Sequence, residues 1–150
     1  MPPANPWKSY RQIATQTAPP GQLVLMLFDG ALRSLDRALL GFNSADISER
    51  NAAIHNNLNR AIDIVRELNG SLDLAAGGQL ADTLRNLYAF FERRLLESNL
   101  KKTRQGIDEV IPMLKQLRDA WANMLNGETP ETAALANTAA DWPASSLIAV

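Results

Sequence analysis

Chemistry at a protein site needs a nucleophile, an acid or base, or a metal held among polar neighbours. This chain offers few residues of that kind. His55 is its one histidine, and it is followed by the amides Asn56 and Asn57. A lone histidine cannot supply the paired Glu-x-x-His motifs with which helical bundles hold two metal ions, and no such motif occurs. His55 therefore reads as a surface or cap residue. Cysteine is absent, which excludes disulfides and thiolate metal sites. Gly77-Gly78 is a plain pair ahead of a helix, without the spacing of a phosphate-cradling loop. Gly70-Ser71-Leu72 lacks the following glycine of a nucleophile elbow. Asp29 and Asp36 share a helix face with Arg33 and Arg37, and pairing one turn apart accounts for those charges. Arg93, Arg94, Lys101 and Lys102 fall late in a helix, where cations complement the backbone dipole, and read as a solvated end. No catalytic residue, cofactor or metal is expected, and the chain does not read as an enzyme.

Composition narrows the alternatives. The 150 residues suffice for one domain with a real core, and 46% hydrophobic with 21% charged residues is ordinary for a globular protein. Fifteen basic and sixteen acidic residues leave a net charge of −1, so no footprint for nucleic acid or an anionic membrane is visible. The opening Met1-Pro-Pro-Ala-Asn-Pro-Trp-Lys8 has no apolar h-region. The longest apolar run is far short of the roughly 20 residues that span a bilayer. A cytoplasmic protein with no membrane insertion is the expectation.

The elements that would position any site are helices. Pro20 to Leu40 forms the first, closed by Gly41-Phe42-Asn43-Ser44. Asp46-Ile47-Ser48-Glu49 is a capping-box pattern opening a second helix at about 47–69, with Ile54, Leu58, Ala61/Ile62, Val65 and Leu68 on one face. Asn69-Gly70 stops it, and 71–78 connects to a third helix at about 79–101. The third carries the seam Leu80, Leu84, Leu87, Phe91 and Leu95, widened by Tyr88 and Leu96. A fourth runs from Gly106 or Asp108 to Leu125, with Val110/Ile111, Leu114, Leu117, Trp121 and Met124/Leu125 together. Pro112 must lie in its first turn or kink it. Short connections force neighbouring helices antiparallel, so the predicted fold is all-α: an up-down four-helix bundle over 17–127. A short helical cap segment at 1–16 precedes it, offering Tyr10 and Ile13 as anchors, and a flexible tail of Ala, Thr, Ser and Pro follows at 128–150.

The first helix has more apolar surface than a bundle needs. Leu23 to Phe28 is unbroken, and Leu25, Phe28, Leu32, Leu35 and Leu39 repeat at alternating spacings of three and four. At about 100° per residue, Gln22, Asp29, Arg33, Asp36 and Arg37 share a polar wedge into which only Met26 intrudes. One flank holds the large side chains Val24, Leu25, Phe28, Leu32, Leu35 and Leu39, which read as the core seam. The other holds Gly30, Ala31, Ser34 and Ala38 with Leu23 and Leu27 beside them. Small side chains let another backbone come close. That second flank either meets a neighbouring helix of the bundle or forms part of a groove for a partner's helix. Surplus apolar surface without chemistry points to a binding module.

These residues resemble the flagellar export chaperones of the FliS type. The family's Thr-Ala-Ser-Pro-Gly-Glu-Leu, apolar run and Tyr-Asp-Gly-Ala is similar to Thr17-Ala-Pro-Pro-Gly-Gln-Leu-Val-Leu-Met-Leu-Phe-Asp-Gly-Ala31. Likeness continues in Arg60-Ala61, Ile64-Val65, Glu67-Leu68, Ser71-Leu72-Asp73, Gly78, Leu87-Tyr88, Arg94-Leu95, Asn99, Asp108-Glu109-Val110, Leu114, Leu117-Arg118 and Ala120-Trp121, over about 10–125. Pro19 and Gln22 depart from the family's capping box, leaving Thr17 or water to satisfy the first amides, and Phe28 replaces a tyrosine.

The resemblance implies a cytoplasmic chaperone that consumes no ATP and binds the carboxy-terminal helical segment of flagellin. It would keep flagellin from polymerising early and help deliver it to the flagellar type III export gate. A disordered amphipathic segment can wrap a large surface and fold on binding. The region of Tyr10 and Ile13 looks like the part that, in this family, folds over the bundle and occupies a client site. The expected client surface is Tyr10, Ile13, Leu23, Met26, Leu27, Gly30, Ser34, Leu72, Tyr88 and Trp121. Alternatives are a helical binding module for another secretion substrate or small regulator, or a structural homodimer; the free protein is expected as monomer or homodimer.

Overall fold

The computed structural model describes residues 20–72 and 74–127; the cap segment 1–16, with Tyr10 and Ile13, and the tail 128–150 lie outside the described residues. Four helices run in order: α1 (Pro20–Gly41), α2 (Ile47–Gly70), α3 (Leu74–Lys101) and α4 (Gln105–Leu125). Each packs on the helices before and after it in the chain, and α4 closes the ring on α1.

Point contacts fix every neighbouring pair as antiparallel. Gly41 of α1 abuts Ala53 and Ile54 of α2, and Gly30 approaches Ile64. His55 and Arg66 of α2 meet Asn99 and Glu92 of α3. On α3, Arg94 and Ser98 reach Glu109 and Gly106 of α4. Asp29 and Gly21 of α1 bond Arg118 and Trp121 of α4. In each pair one residue number falls as the other rises, which is the up-down bundle anticipated from short connections.

The local signals explain most boundaries. The Asp46 carboxylate caps α2, accepting from the Glu49 amide at 2.9 Å. Asp46→Ala is expected to lower stability by about 1 kcal/mol, the usual worth of such a cap, measured as a shift in urea midpoint with unchanged slope. A helical turn from Leu74 leads to a break at Gly78, whose φ of 55° and ψ of −133° suit only a residue without Cβ, and the continuous part of the third helix begins after it, at the expected 79. It ends with Lys102 at φ 54° and a bond from the Thr103 amide to the Ser98 carbonyl at 3.0 Å, a left-handed stop made without glycine. Pro112 neither opens α4 nor ends it; the helix runs on through it, with the ring on the exposed side.

The core differs from the expected seam in its rotation on α1. Phe28, Leu35, Phe91, Ile54, Leu58, Ile62, Leu95, Ile107 and Leu114 are fully enclosed. Leu25, Leu32 and Leu39 are only partly buried, while Leu27, Ala31, Ser34 and Ala38 from the small-residue flank are buried. The small flank therefore belongs chiefly to the bundle, because α2 comes closest where side chains are smallest. A Cβ on Gly41 would stand 3.0 Å from Ala53 Cβ. On α3 the correction is Leu96, placed in the seam by spacing but 42% exposed.

Candidate functional site

Among the described residues, no group of three or more His, Cys, Asp or Glu is placed to hold a metal ion. His55 is a strap. Lys102 Nζ donates to Asn99 Oδ1 at 2.7 Å and to its carbonyl at 2.6 Å, which leaves the Asn99 amide nitrogen to donate to His55 Nδ1 at 3.2 Å. Nε2, which carries the hydrogen when Nδ1 accepts, lies 2.9 Å from the Asn59 side-chain amide. The chain thus ties the first half of α2 to the end of α3, with His55 itself exposed.

Charge pairing differs from the expected one-turn pattern. Asp29 does not take Arg33; it accepts from Arg118 of α4 at 2.7 Å, and that bond holds the Arg118 guanidinium above its ordinary pKa. Arg33 and Arg37 make no ion pair among the described residues. Arg94 is no solvated helix end. It bonds Glu109 across to α4 and Glu97 at 3.1 Å, with its side chain 19% exposed and Nε buried without a partner. The Glu109 hydrogen bond is the main reason its pKa stands above the ordinary arginine value.

The expected client residues gather in two places. Met26, Leu27, Gly30 and Ser34 line a groove of about 100 Å³ between α1 and α2, together with Ile64, Arg33, Arg37 and Arg60. Leu72, Tyr88 and Trp121 close around a pinhole of about 10 Å³ with Val24, Leu68 and Leu84, at the end of the bundle where α1 begins. Leu23 is half-buried on the same side of α1 as Gly30. Within these sets Met26 and Gly30 are half-buried, and so is Leu72, whereas Leu27, Ser34, Tyr88 and Trp121 are enclosed by the protein's own helices. Burial pushes the Tyr88 phenol well above its ordinary range. Trp121 Nε1 donates to the Gly21 carbonyl at 2.8 Å, a bond internal to the fold.

Sequence reasoning missed a third surface and the rim of the first. A trough of about 570 Å³ runs along α3 beside α2, with Arg85, Glu92, Arg93, Leu96, Glu97 and Leu100 on it. Leu100 is 84% exposed. The exposed leucines interrupt an otherwise polar face at a spacing of four, a signal read as seam width at Leu96. Arg60 belongs to a different helix from Arg33 and Arg37, so no local spacing could join the three. No helix among the described residues is long and apolar enough to cross a membrane.

The chain is similar to known proteins over most of its length. The family model described as Flagellar protein FliS matches residues 3–128. The flagellar secretion chaperone FliS of Salmonella typhimurium strain LT2 is 39% identical over 119 residues, which is 76% of this chain and 85% of that protein. The flagellar secretion chaperone FliS of Bacillus subtilis strain 168 is 32% identical over 124 residues, 83% of this chain and 89% of the relative. That of Escherichia coli K12 is 35% identical over 123 residues, 79% and 88% of the two chains. All three relatives are named as chaperones and none as an enzyme.

Proposed function

The chain belongs to the FliS family of flagellar secretion chaperones, and from that premise we propose that it binds the carboxy-terminal helical segment of flagellin in the cytoplasm. Binding holds the segment away from premature polymerisation and presents the pair to the flagellar type III export apparatus. The reading rests on the family match over 3–128 and on open grooves along the bundle.

The client enters the α1/α2 groove with an apolar side chain over Met26 and Gly30, near Leu23, and continues around α2 to the α3 trough at Leu96 and Leu100. Leu27 and Ser34 hold the α1/α2 groove from beneath, and Tyr88 and Trp121 hold the end of the bundle where α1 begins. Leu72, at the end of the bundle, completes the expected contact set together with Tyr10 and Ile13, which lie outside the described residues. A disordered amphipathic segment suits such a surface, because it orders only on binding and can follow a curved path.

Titration with a flagellin carboxy-terminal peptide tests the reading. A one-to-one complex is expected, with binding weakened about tenfold or more by Gly30→Trp, which fills the groove, and by Leu100→Glu, which puts a charge on the exposed leucine. Leu27→Glu is the wrong probe, since it buries a carboxylate in the core and unfolds the chain. Undiminished binding by both folded variants would overturn the placement. A constitutive dimer indifferent to the peptide would overturn the function.

A further inference from the structure

The three arginines around the α1/α2 groove, like Arg50, Arg85 and Arg93, lack the ion pairs that four other arginines of the bundle possess among the described residues. Arg66 is bound to Glu92 at 3.1 Å, Arg118 to Asp29 at 2.7 Å, Arg104 to Asp108 at 3.4 Å, and Arg94 to Glu97 and Glu109. Arg33, Arg37 and Arg60 are exposed, line one groove and form no ion pair among the described residues. Two carboxylates on the same helices are engaged by other arginines: Asp29 is held by α4 and Asp63 lies 4.0 Å from Arg66. Asp36 shares the polar wedge of α1 with Arg33 and Arg37 but forms no ion pair with either among the described residues. In a chain of net charge −1, a triplet of like charges on one groove is a local departure that folding does not compensate.

We propose that the α1/α2 groove selects an acidic amphipathic helix, seating one aliphatic side chain among Met26, Gly30 and Ile64 while carboxylates on either side of it engage Arg33, Arg37 and Arg60. The size of the groove sets the first half of this motif: about 100 Å³ takes one branched side chain and no more. The arginines set the second. Arg33 and Arg37 stand one helical turn apart, so carboxylates three or four residues from the inserted side chain, one turn before or after it, reach them in register. Arg60 faces them from α2 and reads the opposite flank. A guanidinium fork matches a carboxylate in a planar, two-bond geometry that lysine does not reproduce, which makes the rim a selector of acidic residues and not only a source of attraction. The α3 trough also carries Arg85 and Arg93, but Glu92 and Glu97 line the same surface, so its charge is mixed where that of the α1/α2 groove is of one sign.

This rests on the groove being a client site and does not depend on the client being flagellin. Two synthetic amphipathic peptides with identical apolar stripes, one with glutamate and the other with glutamine on its flanks, are titrated into the full chain together with the flagellin carboxy-terminal peptide. The glutamate peptide is expected to bind roughly tenfold more tightly, three exposed pairs of ordinary strength giving that margin. The difference should shrink as salt is raised toward about 1 M, where the screening length falls to ~3 Å. An Arg33→Gln/Arg37→Gln/Arg60→Gln chain should remove it, the positions being exposed and without fold-internal partners. Equal binding of the two peptides at low salt would overturn the proposal. A glutamate peptide that binds the triple variant as well as the parent would overturn it too, while leaving the chaperone reading intact. Failure of the flagellin peptide alone, with the glutamate preference present, would remove that reading and support this one. Glutamate-peptide binding that appears only in a Glu128→Gln/Glu131→Gln/Asp141→Asn chain would overturn it in favour of the chain's own acidic tail as occupant.

Discussion

Gly106→Ala is expected to cost about 3 kcal/mol of folding stability, a large penalty for a single added methyl. A Cβ at that position would stand 2.3 Å from the Arg94 carbonyl oxygen, 2.5 Å from Ser98 Oγ and 3.0 Å from the Arg94 carbonyl carbon. Two of those atoms are backbone, so no rotamer change relieves the clash and α3 and α4 must separate. Separation also strains the bond by which the buried Gly106 amide donates to Ser98 Oγ at 2.9 Å. That bond replaces a missing cap, since Arg104 supplies no side-chain acceptor to the first amides of α4. Ser98→Ala, which only orphans the amide, should cost less, about 1–3 kcal/mol. Gly70→Ala is the control: its Cβ would meet nothing within 4 Å, and the substitution should be neutral or slightly stabilising. Urea melts followed by far-UV circular dichroism order the three variants. A Gly106→Ala midpoint equal to the parent's would show that α3 and α4 do not meet as closely as described.

What the sequence disclosed and what it hid divide along the range of the interactions. The seam of α2 was legible because Ile54, Leu58, Ala61, Ile62, Val65 and Leu68 are buried by helical periodicity alone, and Asp46 caps by a bond three residues away. On α1 the period was right and the phase only partly so: Val24, Phe28 and Leu35 of the expected seam are buried, Leu25, Leu32 and Leu39 are not fully so. Leu25, Leu32 and Leu39 weigh more in a hydrophobicity pattern than Ala31, Ser34 and Ala38, yet the small residues are the buried ones because they admit α2. Packing distance, which no single helix encodes, decided the outcome. The pairing of Asp29 with Arg118 spans 89 residues, so a one-turn partner in sequence was a poor guide to the charge chemistry. The same misreading concealed the groove's arginines. Once Asp29 was assigned to Arg33, nothing in the local pattern marked Arg33, Arg37 and Arg60 as uncompensated.

Trp121→Ala should cost about 3–5 kcal/mol, the range for truncating a large aromatic in a packed core. Trp121 is 2% exposed, and it is bonded through Nε1 to the Gly21 carbonyl at 2.8 Å. Beside it, a Cβ on Gly21 would stand 2.6 Å from Leu125 Cδ2, so the start of α1 is pressed onto the end of α4. Trp121→Phe keeps most of the ring and loses the bond, and should cost about 1 kcal/mol. The pair of variants separates two roles for a residue that the sequence places in the client surface and the structure encloses. If Trp121 acts only by holding the bundle end together, Trp121→Phe binds the flagellin peptide within a few-fold of the parent. Any loss in Trp121→Ala then tracks its unfolded fraction, disappearing when binding is corrected for the population measured by circular dichroism. A fully folded Trp121→Phe chain that loses binding tenfold would require the indole to face the client, and with it an opening of the α1 and α4 ends on binding. Because the Gly21 bond must break for that to happen, the opening would also appear as faster hydrogen exchange at the start of α1 in the complex than in the free chain.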